Sequence, residues 1–257
     1  MYTINAESIA EGHEKVIRLI MGGVEDVNDL TTEDKELTME YPEPVNIHIH
    51  HPNTPPFASS AFRFGSMALD AYAKQIIAPR PLVDKQGHPD FSYLYSSLIF
   101  DYPWGEPFKV FDNNGKFLRV DWPHGNGRGD GTNQIDYVVK KLTENQTSRR
   151  AVIVLFEPKG HPQMGDPPCL NEIQFLIRNE KLNMHALFRS NDMLSAWGGN
   201  AYALMRLQEN VLQQINLKTG ENPSTYSMGW LETTSISAHI YFKRDSDELK
   251  EFKKMWK

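Results

Sequence analysis

Cysteine is almost missing from this chain. Cys169 is the only one among 257 residues, which excludes an intramolecular disulfide framework and any zinc site built on cysteine pairs. Long apolar runs are missing too. No stretch approaches the ~20 residues that a membrane span requires, and Met1-Tyr2-Thr3-Ile4-Asn5-Ala6-Glu7 lacks the basic-then-apolar pattern of a secretory signal. The expectation is a soluble, cytoplasmic protein with no membrane partner. Positive charge is in deficit: 27 Lys and Arg stand against 33 Asp and Glu, a formal charge of −6, which argues against a surface built for a nucleic-acid polymer. One nucleotide needs only a few local arginines. Internal repeats and low-complexity tracts are absent as well. What remains is ordinary globular usage, 40% hydrophobic and 23% charged, read as one domain spanning residues 1–257.

Apolar spacing predicts a helix over Ala6–Met21, with Ile9, Val16, Ile17 and Ile20 on one face and Gly22-Gly23 at its end. Leu37–His50 alternates, placing Val45, Ile47 and Ile49 opposite Asn46, His48 and His50, the period of a half-buried strand. Ser66–Ile77 reads as a helix stopped by Pro79 and Pro81. Asp101–Thr132, rich in Gly, Asp, Asn and Pro, reads as a loop-rich insertion of turns. Its Gly125-Asn126-Gly127-Arg128-Gly129 run fits neither phosphate-loop pattern. A helix over Gln134–Leu142, a buried strand at Ala151–Phe156, and strands at Glu172–Ile177 and Leu182–Arg189 joined by a polar turn follow. A long helix over Ala201–Ile215 turns Leu204, Leu207, Val211 and Leu212 inward. The class is α/β or α+β: a mixed, twisted sheet covered by helices.

Cys169 follows Pro167-Pro168, and the fixed φ of Pro168 presents the thiol from a stiff elbow. Nearby cations stabilise a thiolate, and the candidates are Arg149, Arg150 and Arg189. Arg189 and Ser190 at a strand end suit a phosphate. Asn200 carries an acceptor and a donor on one flat group, as a pyrimidine edge does. A blander reading also stands, with Arg189 and Asp192 as a surface ion pair and Asn200 as a helix N-cap. His48, His50 and His51 lack an accompanying carboxylate or cysteine pattern and read as structural or exposed, with no metal.

The ordered set Asn133-Gln134-Ile135-Asp136-Tyr137, Ser148-Arg149-Arg150, Pro167-Pro168-Cys169, Arg189-Ser190-Asn191-Asp192, Asn200-Ala201-Tyr202 and Ser237-Ala238-His239-Ile240-Tyr241 resembles the thymidylate synthase family, with its shorter archaeal-type and hydroxymethylase members nearest in pattern. The resemblance implies that Cys169 adds to C6 of a pyrimidine nucleoside monophosphate, making C5 a carbon nucleophile toward the one-carbon unit of 5,10-methylenetetrahydrofolate. Arg189 and Ser190 would hold the 5′-phosphate, with Arg149 and Arg150 reaching in from the second subunit of a homodimer. His239 and Tyr241 would hold the sugar 3′-hydroxyl, and Asp192 would contact the folate and assist the later steps. Asparagine at position 200 implies uracil over cytosine.

Two departures accompany the resemblance. Asp70 stands in the segment where the family carries its catalytic glutamate, and Tyr95 is followed by Ser96 where the family's active-site tyrosine is followed by glycine. Tyr95 also reads as a strand-packing tyrosine. The chain ends at Lys257, soon after His239, without the long tail that closes over the folate in larger members. Methylation of dUMP is the leading expectation. Hydroxymethylation of dUMP, dCMP or CMP, and nucleotide binding without catalysis, are the alternatives.

Overall fold

The computed structural model of the chain describes residues 1–22, 28–31, 35–78, 94–219 and 225–256. Gly23, Pro79, Pro81 and Lys257, used in the expectations above, lie outside them. The first helix starts later than its apolar spacing predicts, because a capping box intervenes. Ser8 accepts a hydrogen bond from the Glu11 N–H at 3.3 Å, and the Glu11 carboxylate accepts one from the Glu7 N–H at 2.7 Å. Helix α1 therefore runs Ile9–Met21, and Tyr2–Ala6 becomes strand β1. There follow β2 (Asn28–Thr31), β3 (Leu37–Glu40), β4 (Val45–Ile49), α2 (Ser66–Ile77) and α3 (Tyr95–Phe100). Then come β5 (Phe108–Phe111), β6 (Phe117–Asp121), α4 (Gln134–Glu144), β7 (Val152–Val154) and β8 (Leu170–Arg178). The described chain closes with β9 (Lys181–Asp192), α5 (Trp197–Lys218), β10 (Ser227–Ile240) and α6 (Ser246–Lys254).

The mixed sheet is present. Its order is β1-β4-β10-β9-β8-β7, with β3 also paired to β10 and β2 to β3. The pairs β1/β4 and β9/β10 are parallel and the rest antiparallel. Val45, Ile47 and Ile49 are buried in the main core beside residues of α1, α2, α4 and α5, as their alternation predicts. On the opposite face Thr234 donates to Asn46 at 2.8 Å, and His48 Nδ1 lies 2.8 Å from Glu232. The predicted helix over Ser66–Ile77 is α2 without revision. Helix α5 starts at Trp197, four residues before the expected Ala201, and carries Gly198 and Gly199 inside it. Two glycines argue against a helix by propensity, but a Cβ on Gly198 would lie 2.8 Å from His13 Nδ1. Packing of α5 on α1 overrides propensity there.

The expected turn-rich segment 101–132 needs one correction. It contains the β5/β6 hairpin, whose two strands pair outside the main sheet, because Phe108-Lys109-Val110-Phe111 and Phe117-Leu118-Arg119-Val120 are strand-forming tetrads flanking an Asp112-centred turn. The glycine run that follows is organised by a carboxylate within the chain. Asp101, 3% exposed, accepts from the N–H groups of Gly127, Gly129 and Gly131 at 2.6–2.8 Å, while Gly125, Gly127 and Gly129 take positive φ that a side chain resists. The amides that would cradle a phosphate are thus already occupied.

His13 ties α1 to the turn leading into α5. Its Nε2 lies 2.8 Å from the Met193 carbonyl and 3.2 Å from that of Leu194. The ring is completely buried among Phe62, Trp197 and Phe252, and burial pulls its pKa from the ordinary 6.5 down to about 4. His161 is depressed to about 4 for the same reason.

Two outcomes follow from these buried groups. Asp101→Ala orphans three backbone donors and should lower unfolding free energy by about 3 kcal/mol or more. A urea transition within about 0.5 kcal/mol of wild type would contradict that. For the histidines, the unfolded chain takes up protons near pH 6.5 and the folded chain only near pH 4. Their contribution to stability is therefore complete above pH 6.5 and lost as pH falls toward 4. His13→Gln, which keeps a donor for Met193, should show a smaller drop in urea midpoint between pH 7.5 and 4.5 than wild type.

Candidate active site

Strand β9 carries Arg189-Ser190-Asn191-Asp192 at its end, with a different partner on each side. On the β8 side, the Arg189 N–H donates to the Cys169 carbonyl at 2.9 Å. The guanidinium of Arg189 then folds back over the proline elbow, Nε donating to the Pro168 carbonyl at 3.0 Å and Nη2 to that of Pro167 at 2.5 Å. Arg189 is therefore locked to the segment that presents the half-buried Cys169 thiol. Helix α3 supplies Tyr95, whose hydroxyl accepts from the N–H of Leu170 at 3.3 Å. This residue follows Cys169 directly, so Tyr95 sits at the Cys169 elbow.

On the β10 side, the parallel register sets Ser190 beside Ser237 and Asp192 beside His239. The Met193 N–H donates to the His239 carbonyl at 2.8 Å. His239 is buried, which lowers its pKa against the opposing pull of the Asp192 charge. Its ring meets Tyr241 edge-on at 5.1 Å, and the Arg244 guanidinium lies 4.0 Å above the Tyr241 ring.

Asp192 does not form the expected surface pair with Arg189. One oxygen accepts from the Leu194 and Ser195 N–H groups, both at 3.1 Å. The other accepts from the Ser195 hydroxyl at 3.0 Å and from Arg244 at 2.6 Å. Asp245 shares both Ser195 and Arg244, and Arg244 holds its carboxyl below the usual range although burial opposes the shift. The carboxylate of Asp192 thus shapes the turn into α5 while remaining beside His239.

Asn200 is not an N-cap. It lies in the first turn of α5, whose cap is Ala196, and its own N–H donates to the Ala196 carbonyl. Its side-chain oxygen accepts from the Tyr72 hydroxyl of α2 at 2.7 Å. Burial raises the Tyr72 hydroxyl far above its ordinary pKa, with the neighbouring Tyr95 adding to the shift. Asn200 and Tyr72 line a cavity of about 370 Å³ between α2 and α5, with Leu69, Ser195, Gly199 and, at its rim, Arg63. Asp70 is exposed on α2 and accepts from the Tyr202 hydroxyl, outside that lining.

Arg149 and Arg150 do not join the Cys169 cluster of their own chain. Both are exposed. Their carbonyls are pinned by Gln174 at 3.0 Å and by the Tyr137 hydroxyl at 2.8 Å, and among the described residues neither guanidinium has an acidic partner. Val152 pairs with Gln174, so Arg150 falls near Leu176, roughly 20 Å along β8 from Cys169 at ~3.3 Å per residue. As stabilisers of the thiolate in the same chain they are corrected by this register.

Sequence reasoning missed Tyr72, Ser195, Arg244 and Arg63. A tyrosine, a serine and two arginines carry no spacing signal, and only the packing of α2 and α6 against the turn before α5 gathers them. His239 and Tyr241 stand together at the end of β10 as the resemblance implies.

Comparison with known proteins agrees with this geometry. The family model described as thymidylate synthase matches residues 94–252. A protein of Methanocaldococcus jannaschii named "Putative thymidylate synthase" is 30% identical, with 98% of this chain and 96% of that protein aligned. Proteins of the same name from Methanosarcina barkeri and Methanosarcina mazei are each 34% identical over 67% of this chain and 61% of theirs. With the family match over most of the chain and a relative 30% identical aligned along nearly its whole length, the chain belongs to the thymidylate synthase family.

Proposed function

We propose that this protein methylates dUMP at C5, with Cys169 as the nucleophile and 5,10-methylenetetrahydrofolate as the source of the one-carbon unit. Family membership supports the coarser statement, one-carbon transfer to a pyrimidine nucleotide. The observation that supports Cys169 as the nucleophile is the lock between Arg189 and the Pro167–Pro168 elbow, which ties a cation to the segment that presents the thiol, where it would favour the anionic form. Thiolate addition to C6 forms the S–C6 bond and moves the ring electrons to C5, which bonds the one-carbon unit. Loss of the C5 proton then breaks the bond between the one-carbon unit and the folate nitrogen, releasing tetrahydrofolate and leaving a methylene on C5 conjugated with the ring. For methylation that tetrahydrofolate gives a hydride to the methylene carbon, the displaced electron pair expels the Cys169 thiolate from C6, and the folate leaves as dihydrofolate.

Arg189 and Ser190 take the 5′-phosphate, where charge-assisted hydrogen bonds are strongest. His239 and Tyr241 meet the sugar. Asn200 reads the base from the wall of the cavity, whose apolar sides suit a flat heterocycle. Asp192 serves the folate end, where contact with the ligand means exchanging its bond from Arg244. Arg149 and Arg150 act in the site of a second copy. Their exposure, their lack of acidic partners among the described residues and their distance along β8 from Cys169 support this arrangement.

Product mass decides the chemistry. Incubation with dUMP and methylenetetrahydrofolate should give dTMP and dihydrofolate, and Cys169→Ala should lower tritium release from C5-labelled dUMP about a thousandfold or more. A hydroxymethyl product with tetrahydrofolate would replace methylation by water capture, and tight nucleotide binding without tritium release would mean a non-catalytic member. The shared site has its own test. Arg149→Ala/Arg150→Ala subunits mixed with Cys169→Ala subunits should recover about a quarter of wild-type activity at statistical exchange, whereas inactive heterodimers would refute sharing.

A further inference from the structure

We propose that Tyr72 is a specificity-determining positioning residue: its hydroxyl holds the Asn200 carboxamide in a single orientation, so that the cavity reads a uracil edge and rejects a cytosine edge. The proposal rests on the reading of Asn200 as the base-recognising residue.

The two pyrimidines differ in the order of their hydrogen-bonding groups. Uracil offers an N3–H donor beside the O4 acceptor; cytosine offers an N3 acceptor beside an N4 amino donor. A carboxamide has an acceptor on one arm and a donor on the other, and rotation by 180° about its last bond converts a match for one base into a match for the other. An unrestrained asparagine is therefore a poor discriminator, and something must fix its flip.

Tyr72 has the properties required. Its hydroxyl donates to Asn200 Oδ1 at 2.7 Å, and among the described residues no other side chain bonds that amide. The hydroxyl is desolvated and holds its proton firmly, so it must keep an acceptor. Turning the amide over would set the NH2 group against the hydroxyl and remove the acceptor from its proton. Carbonyl oxygen has two lone pairs: with one engaged by Tyr72, the second remains for an N3–H, while the amide N–H groups remain for O4. Cytosine would set its N3 lone pair against the same oxygen. Tyr72 itself is held from behind, since α2 buries Leu69, Ala73 and Ile76 in the core and Tyr72 packs against it.

The experiment compares kcat/KM for tritium release from C5-labelled dUMP and dCMP in the full-length protein, with methylenetetrahydrofolate present. Wild type should favour dUMP, and Tyr72→Phe should reduce the dUMP-to-dCMP ratio about tenfold, the scale of one hydrogen bond. Tyr72→Leu removes the same donor with a different shape and should give a similar fall, which separates the hydroxyl from packing. In an Asn200→Ala background, Tyr72→Phe should leave the ratio unchanged. A Tyr72→Phe protein slowed equally on both nucleotides overturns the proposal and leaves the functional reading intact, as does an equal fall of the ratio in the Asn200→Ala background. Wild type preferring dCMP overturns the uracil assignment, and wild type inert toward both nucleotides overturns the proposal together with the reading on which it rests.

Discussion

The double pairing of β9 is the constraint on which the rest of the structure depends. One edge runs antiparallel to β8 and the other parallel to β10, so residues far apart in the chain meet at a single strand end. Through β8 the Cys169 carbonyl meets the Arg189 N–H; through β10, His239 comes beside Asp192. Backbone ladders are rigid on the scale of a hydrogen bond, which lets a thiol, a guanidinium, a carboxylate and an imidazole keep their spacing without contacts among all of them. The parallel pairing also requires a long crossover, and α5 provides it. That crossover delivers Asn200 and the cavity wall to the same end.

Charge in this region is arranged by local compensation. Asp192 and Asp245 share Arg244 and Ser195, and Asp101 fills the glycine cradle. Arg189 donates to the neutral carbonyls of Pro168 and Pro167, and its one carboxylate neighbour, the exposed Asp166 at 3.6 Å, is a surface pair that screens its charge only weakly. Arg149 and Arg150, held by their backbone, are unopposed by carboxylates among the described residues. Within a net charge of −6, Arg149 and Arg150 are thus left without a carboxylate partner among the described residues, whereas Arg189 and Arg244 are paired.

Much of the secondary structure was legible in the sequence. Periodicity placed α2 at Ser66–Ile77 and found α4 and the β8/β9 hairpin within a few residues, while the alternating stretch Leu37–His50 divides into β3 and β4. The errors have physical causes. Strand β1 was hidden because apolar spacing extends back to Ala6, whereas Ser8 and Glu11 form a capping box that starts the helix later. The first turn of α5 was hidden by the glycine pair Gly198-Gly199, of which Gly198 is required because His13 leaves no room there for a Cβ.

The sequence by itself determined the candidate nucleophile, the ordered motifs and the family they resemble, since these depend on residue identity and on order along the chain. Tertiary structure alone decided which of those residues share a site. Register along β8 separates Arg149 and Arg150 from Cys169, while register along β9 unites Cys169 with Arg189 and Asp192 with His239. Tertiary structure alone also brought Tyr72 to Asn200, 128 positions away in the chain. Distance between strands and helices is set by packing and hydrogen-bond register, and neither is written in the spacing of residues along a single chain.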